Sequence, residues 1–174
     1  MSRFSTAPPA DVRIATNARL AALACAAAAC LTACGTAKPV GVTVPAWEVT
    51  TRALPGAGRV LVDGQGYTLY AYLPDHQGSS QCSGLCAQQW PPLVLPADVT
   101  HPVSRGGADA SLLGTVRRPG GARQLTYNGW PLYLWQGDHE PGQATGQADD
   151  MGLWYVLSPD GSVDKTPVQG QPGG

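Results

Sequence analysis

The alternation of apolar and polar positions along the chain predicts short β-strands and little helix. Between residues 59 and 160, no segment of helix length carries apolar groups at the i, i+3, i+4 and i+7 spacing of an amphipathic helix. Short β-branched and aromatic runs occur instead, and Gly, Pro, Asn and Asp separate them. We therefore expect a mainly β domain.

Two hairpins are predicted in this region. In the first, Arg59 to Val62 is a β-branched run that the turn sequence DGQG reverses into Tyr67 to Tyr72. In the second, Gln124 to Tyr127 reaches the dipeptide Asn128-Gly129 and returns as Trp130 to Trp135. Asn-Gly tolerates the positive φ values of a type I′ turn, which makes it a strong hairpin signal.

The two hairpins are copies of one another. The phrase "TLYAYLPDH" closes the first and "PLYLWQGDH" closes the second, at an offset of 63 residues. Trp90 follows Tyr70 nearly as Trp154 follows Tyr133. Because two copies are too few for a solenoid, we expect two related hairpin or meander repeats, about 59–96 and 123–159, packed as one small domain over 59–160.

Aromatic side chains at positions i and i+2 of a strand point to the same face of the strand. Six large rings of the two copies are therefore expected to meet between them. These rings are Tyr70, Tyr72, Trp90, Tyr133, Trp135 and Trp154. Asp75 and Asp138 follow the aromatic strands and are placed to accept hydrogen bonds from turn N–H groups or from a tyrosine of the other copy. The alternative is a metal or proton site that pairs each aspartate with the histidine after it, His76 or His139.

The N-terminus predicts export. An uncharged stretch from Leu20 to Cys34 follows a polar, arginine-containing segment, and its apolar part is shorter than the roughly 20 residues of a membrane span. Residues 1–33 therefore read as a signal peptide. The letters LTAC that end at Cys34 resemble a bacterial lipobox, so we expect lipid attachment at Cys34. An ordinary secretory signal cut after a small residue is the alternative.

Export changes the charge of the chain and its predicted organisation. The full chain has a formal net charge of −1, and removal of the signal peptide takes away three arginines and one aspartate. No basic stripe remains to neutralise phosphates, which argues against nucleic-acid binding. We expect residues 34–58 to be the lipidated N-terminus and a tether, with one strand around Trp47 to Thr50, and residues 161–174 to be a disordered tail.

Each copy carries a tyrosine, a second ring two residues later and an aspartate three residues after that. These motif residues are Tyr70, Tyr72 and Asp75 in the first copy, and Tyr133, Trp135 and Asp138 in the second. With the runs "LVDGQGYTLY" and "TYNGWPLY", they make the chain resemble the bacterial secreted-repeat lipoproteins with a Yx(FWY)xxD motif, over about residues 58–158. The resemblance implies an exported, usually lipid-anchored protein with paired repeats, and it brings no activity, ligand or catalytic residue.

Cys82 and Cys86 are the remaining cysteines of the mature chain. In an oxidising compartment a structural disulfide between them is the default expectation. A redox-active dithiol and a metal pair with His76 or His101 are the alternatives. The spacing does not match c-type haem attachment, because no histidine directly follows Cys86.

The sequence shows no catalytic motif such as G-x-S-x-G or H-E-x-x-H. We therefore expect no enzyme activity, no cofactor and no dedicated metal site. The leading hypothesis is a non-catalytic module outside the cytoplasm, lipid-anchored to a bacterial membrane, that binds another envelope protein or component through exposed Tyr and Trp. The alternatives are an envelope redox or metal protein that uses Cys82 and Cys86 or the Asp-His turns, and a hydrolase or transferase.

Overall fold

The computed structural model describes residues 44–75 and 78–168, where nine strands form three antiparallel sheets. All of these residues belong to one compact unit, 41–174. The strands are β1 Val49–Leu54, β2 Gly58–Asp63, β3 Tyr70–Tyr72, β4 Val94–Leu95, β5 Leu113–Arg117, β6 Arg123–Tyr127, β7 Trp130–Pro131, β8 Trp154–Leu157 and β9 Val163–Asp164. The short helices are α1 Leu85–Gln89 and α2 Asp149–Gly152, with a 3-10 turn at Ala110–Leu112. The mainly β prediction is confirmed.

The sheets have two, three and four strands. The first pairs β1 with β2, the second has the order β3-β8-β9, and the third has the order β4-β6-β5 with β7 also on β6. Neither helix within residues 44–75 and 78–168 has the length and apolar character needed to cross a membrane.

The second predicted hairpin is present. Tyr127 pairs with Trp130 across a two-residue turn, in which Asn128 has φ 48° and Gly129 has φ 83°. Two successive positive φ values are those of a type I′ turn, whose twist matches that of the flanking strands. The Asn-Gly signal therefore predicted this turn correctly.

The first hairpin forms only at its turn. Thr68 bridges Val62, and the Leu69 N–H donates to the Leu61 carbonyl at 3.0 Å. The chain then leaves β2, and Tyr70–Tyr72 pairs with Trp154–Val156 of the second copy. In the same way, Tyr133 of the second copy forms a β-bridge with Pro92 of the first copy. The aromatic segment of each copy therefore pairs with the backbone of the other copy.

The predicted start of the domain at residue 59 is wrong. Strand β1 begins at Val49 and pairs along its length with β2, so that Val49 lies opposite Asp63 and Leu54 opposite Gly58. Val49 is fully buried. Apolar side chains at both ends of β1 hold it on the body, and the tether can therefore include only residues before this strand.

Two further boundaries also need correction. The second copy begins earlier than residue 123, because β5 lies between the two predicted repeats and pairs with β6 from Leu113↔Tyr127 to Arg117↔Arg123. The tail does not begin at residue 161, because β9 pairs with β8. The Gln147 side chain also donates to the carbonyls of Asp164 and Thr166, at 2.8 and 2.9 Å. These hydrogen bonds order the chain beyond Gly161, and residues 169–174 lie outside the described part.

The core consists of two clusters. The aliphatic cluster lies around Leu61, Leu69, Leu125 and Leu132, all fully buried. The aromatic cluster contains the rings of both copies together with Val60, Val62 and Val156. Strand β2 contributes to both, because its side chains are buried on both faces from Val60 to Asp63. The aromatic cluster positions the candidate site.

Candidate functional site

Four rings from the two copies form one continuous stack. The centroid distances along it are 4.3 Å between Tyr72 and Trp154, 3.9 Å between Trp154 and Trp90, and 4.2 Å between Trp90 and Trp135. Contact between stacked rings adds to the stabilisation that burial provides. The prediction that the rings meet between the copies is confirmed.

The remaining two rings pack edge-on against the centre of the stack. Tyr70 meets Trp90 at 5.2 Å and 78°, and Tyr133 meets Trp154 at 5.1 Å and 86°. The two backbones meet in the same symmetric way, since Tyr70 N donates to Tyr133 O at 2.9 Å and Tyr133 N donates to Tyr70 O at 3.0 Å. A pseudo-twofold axis therefore passes between these tyrosines.

A buried carboxylate of each copy accepts a hydrogen bond from a tyrosine hydroxyl of the other copy. The Tyr70 hydroxyl donates to Asp138 Oδ2 at 2.7 Å, and the Tyr133 hydroxyl donates to Asp75 Oδ2 at 2.7 Å. The second oxygen of each aspartate accepts from its own turn. Gln81 N donates to Asp75 Oδ1 at 2.6 Å, and Thr145 N donates to Asp138 Oδ1 at 2.8 Å. Both predicted kinds of donor are thus observed.

Burial raises the pKa values of Asp75, Tyr133 and Tyr70. Desolvation raises the pKa of Asp75, and the hydrogen bonds from Tyr133 and Gln81 together with the charge of Arg118 lower it in part. Burial and the neighbouring Asp75 raise the pKa of Tyr133 to about 12. Burial and Asp138 also raise the pKa of Tyr70 far above its ordinary value. Both tyrosines therefore remain hydrogen-bond donors at neutral pH.

The Asp-His alternative gains no support from this geometry. Both oxygens of Asp75 and of Asp138 accept hydrogen bonds within the protein. His139 is exposed, and His76 lies outside the described residues. Across 44–75 and 78–168, no group of three or more His, Cys, Asp or Glu side chains is placed to hold a metal ion.

An arginine that the sequence analysis did not single out extends the buried network. Arg118 Nη1 donates to Ser80 Oγ and to Gln124 Oε1, both at 2.6 Å. Ser80 Oγ lies 2.6 Å from the Tyr133 hydroxyl, which connects Arg118 to the Tyr133–Asp75 pair. Arg118 also donates to the Cys82 carbonyl at 2.6 Å. No local pattern marks this role, because the arginine is distant in sequence from Ser80 and Cys82.

Cys82 and Cys86 form a disulfide with a Cα–Cα distance of 5.3 Å. Gly84 allows the short loop between them because it adopts a φ of 57°, which costs glycine little. Cys82 is buried in the aromatic cluster and Cys86 packs against it. At the offset of 64 that relates Trp90 to Trp154, Gly146 and Asp150 stand in their places, so the disulfide belongs to the first copy alone.

We expect the double variant Cys82→Ser/Cys86→Ser to lose about 2 kcal/mol of stability, because so short a loop restricts the unfolded chain only modestly. Urea unfolding of oxidised wild type and of the variant measures this loss. Wild type measured after reduction is the control and should match the variant. Equal stability of all three would contradict a structural role and favour a disulfide that cycles in function.

A cavity of about 280 Å³ opens beside Trp135, one end of the ring stack. Its lining includes Ala46, Asp63, Gln65, Tyr67, Trp135 and Gln136, and we call it the Tyr67–Trp135 cavity. The sequence analysis identified Trp135 but missed Tyr67 and the two glutamines. A DGQG turn next to a duplicated aromatic strand is the signal that could have found them.

A second cleft, of about 320 Å³, borders the same stack. Tyr72, Trp90 and Trp135 line it together with Cys86, Gln89, Asp149 and Asp150. Trp135 thus lines both openings. Because Tyr72 corresponds to Trp135 and Cys86 to Asp150, this second cleft lies near the pseudo-twofold axis.

Comparison with known proteins agrees with the duplicated architecture. The family described as "secreted repeat of unknown function" matches residues 52–94 and 114–158. A search of curated proteins and a search of solved structures each found no match. The first matched segment includes the second half of β1, and the second begins within β5, so both agree with the corrected boundaries. The chain belongs to this family of secreted repeats.

Proposed function

We propose that this chain is a lipid-anchored, non-catalytic binding module outside the cytoplasm, and that it holds a component of the cell envelope in the Tyr67–Trp135 cavity. Membership of a secreted family supports the location. The single observation that carries the binding role is the cavity at the Trp135 end of the ring stack. An aromatic wall fixed by a rigid core is a preorganised contact surface for a ligand.

The position of the cavity fits an anchored protein. Ala46 lines the cavity, and Cys34, the proposed lipid attachment, is twelve residues before it. Twelve residues span at most about 43 Å when fully extended. Acylation at Cys34 would therefore keep the cavity within that distance of the membrane surface, where envelope components are concentrated.

The groups that line the cavity are suited to holding a ligand. The Asp63 carboxylate accepts from Gln65 N and Tyr67 N, both at 2.9 Å, and Asp138 accepts from Tyr70 and Thr145. These carboxylates are thus engaged in fixing their own turns. The other polar groups at the opening include the side-chain amides of Gln65 and Gln136, which neither attack a bond nor exchange a proton at neutral pH.

The test uses exported full-length chains and envelopes isolated from the producing cells. We expect wild type to partition into the detergent phase of a Triton X-114 extract and Cys34→Ser into the aqueous phase, because the acyl chains provide the anchor. The soluble Cys34→Ser chain should still sediment with added envelopes. Adding Tyr67→Ala should weaken this sedimentation at least tenfold, because the change removes one aromatic wall of the cavity.

The matched control is Tyr155→Ala in the same Cys34→Ser chain. Tyr155 is a half-buried tyrosine on β8 and does not line the cavity. Sedimentation of this control should equal that of Cys34→Ser alone. If Tyr67→Ala and Tyr155→Ala sediment equally, the cavity is not the binding surface, and partition of the Cys34→Ser chain into the detergent phase would disprove anchoring through Cys34.

A further inference from the structure

We infer that the ligand of the Tyr67–Trp135 cavity is an uncharged sugar ring, packed on the aromatic wall and hydrogen-bonded by Gln65 and Gln136. This inference rests on the proposed function and specifies the chemistry of the same site. Its elements are the ring at one end of the stack, which lines the cavity, two amides with no hydrogen-bond partner among the described residues, a lining without a free charge, and a difference between the two copies.

Trp135 provides a flat apolar surface. Trp90 covers one of its faces at 4.2 Å, and within residues 44–75 and 78–168 no other ring contacts it. The C–H groups on one face of a sugar ring are apolar and match such a surface. The cavity volume of about 280 Å³ is just below the roughly 300 Å³ at which pockets for drug-sized molecules begin, so it suits a single ring.

Gln65 and Gln136 supply the polar contacts. Both are exposed, and among the described residues neither side-chain amide is hydrogen-bonded to another group. Each amide offers two N–H donors and one carbonyl acceptor. Neighbouring hydroxyls of a sugar both donate and accept, so an amide can bind two of them at once.

The lining offers no free charge to an ionic ligand. It contains no Lys, Arg or His among the described residues. Its two carboxylates, Asp63 and Asp138, are buried, with 2% and 6% exposure, and each accepts hydrogen bonds from its own turn. A neutral ligand therefore avoids the cost of bringing an unpaired charge out of water.

Comparison of the two copies shows which residues of this site the fold does not require. The Leu69 N–H donates to the Leu61 carbonyl, and the Leu132 N–H makes the equivalent bond to Leu125. The first copy has one more residue between these leucines than the second, and the longer turn contains Gln65. Gln136 likewise follows Trp135 at the place where Leu73 follows Tyr72. Each copy therefore folds without the amide that the other copy carries, so a ligand is the better explanation for the presence of Gln65 and Gln136.

The experiment uses the full lipidated chain in phospholipid nanodiscs, which carry no sugar headgroup, mixed with isolated envelopes. The neutral oligosaccharide fraction released from the same envelopes by mild acid is the competing probe. We expect it to abolish sedimentation of the chain with the envelopes. The variant Gln65→Ala/Gln136→Ala should sediment at least tenfold more weakly than wild type, since it removes both amides and leaves the core intact.

Gln89→Ala is the matched control, because Gln89 is an exposed glutamine that lines the second cleft instead. It should behave as wild type. The sugar inference is overturned if the oligosaccharide fraction fails to compete while a lipid extract of the envelopes competes. The sugar inference is also overturned if tetramethylammonium chloride prevents sedimentation of the chain with the envelopes and Asp150→Asn removes this effect. That result would place a cation in the second cleft.

Failure of this inference is distinguishable from failure of the proposed function. If sedimentation depends on Tyr67 but the sugar fraction does not compete, the chain is a binding module for another chemistry. If sedimentation is independent of Tyr67, the cavity binds no envelope component and both proposals fail.

Discussion

Replacement of Trp154 by alanine is expected to lower the free energy of unfolding by about 3–5 kcal/mol. Trp154 is 1% exposed and contacts three rings of the cluster, with Tyr72 and Trp90 on its two faces and Tyr133 edge-on. The variant would leave a large void at the centre of the stack. Urea unfolding followed by circular dichroism measures the loss as a lower midpoint at an unchanged slope.

Trp130→Ala is the comparison for this prediction. Trp130 is half-buried on β7 and packs on the aliphatic cluster, away from the stack. The same change of side chain there should cost clearly less, because fewer contacts are lost and water can fill the space. Equal losses at the two positions would show that the ring stack contributes nothing beyond ordinary burial.

The second large effect is expected for the carboxylates that join the copies. Asp138→Ala should cost at least about 2 kcal/mol, because it leaves the buried Tyr70 hydroxyl without its acceptor and also removes the acceptor of Thr145 N. Tyr70→Phe alone should cost less, since Asp138 then keeps its hydrogen bonds from Thr145 N and Thr145 Oγ1. Thermal or urea unfolding of both variants gives the two values.

A double-mutant cycle with Tyr70→Phe and Asp138→Asn isolates the cross-copy bond. Residues in direct contact typically show coupling of about 0.5–3 kcal/mol, and we expect a value in that range. The cycle with Tyr133→Phe and Asp75→Asn should give coupling of similar size, since the distances in the two pairs are equal. Additive losses in both cycles would contradict the conclusion that these bonds hold the copies together.

Sequence reasoning succeeded where a local pattern carries the physical cause. The Asn128-Gly129 turn followed from positive φ values, and the meeting of the rings followed from the two-residue period of strands. The hydrogen bonds of Asp75 and Asp138 followed from their positions after the strands. Each of these depends on residues close in sequence or on the duplication itself.

Local sequence patterns could not predict that the aromatic segment of each copy pairs with the other copy. The letters of Tyr70–Tyr72 fit pairing with β2 as well as pairing with β8, and only the assembled core selects the second partner. Strands β5 and β9 were missed for a related reason, since glycines and polar residues surround them and their pairing with β6 and β8 supplies the order. Gln65 and Gln136 look like any solvent-facing glutamine until the cavity places them at one opening.

The reciprocal contacts around the pseudo-twofold axis have the form of an interface between two identical chains. When residue i of one copy contacts residue j of the other and j contacts i, the interface has the isologous form of a symmetric homodimer. The Tyr–Asp pairs and the Tyr70–Tyr133 backbone bonds have this form within one polypeptide. Two separate half-length chains with this geometry would form an isologous dimer. Because the halves are joined in one polypeptide, they need not be identical, and the first half alone has the disulfide and the longer turn while the reciprocal contacts between the halves are kept.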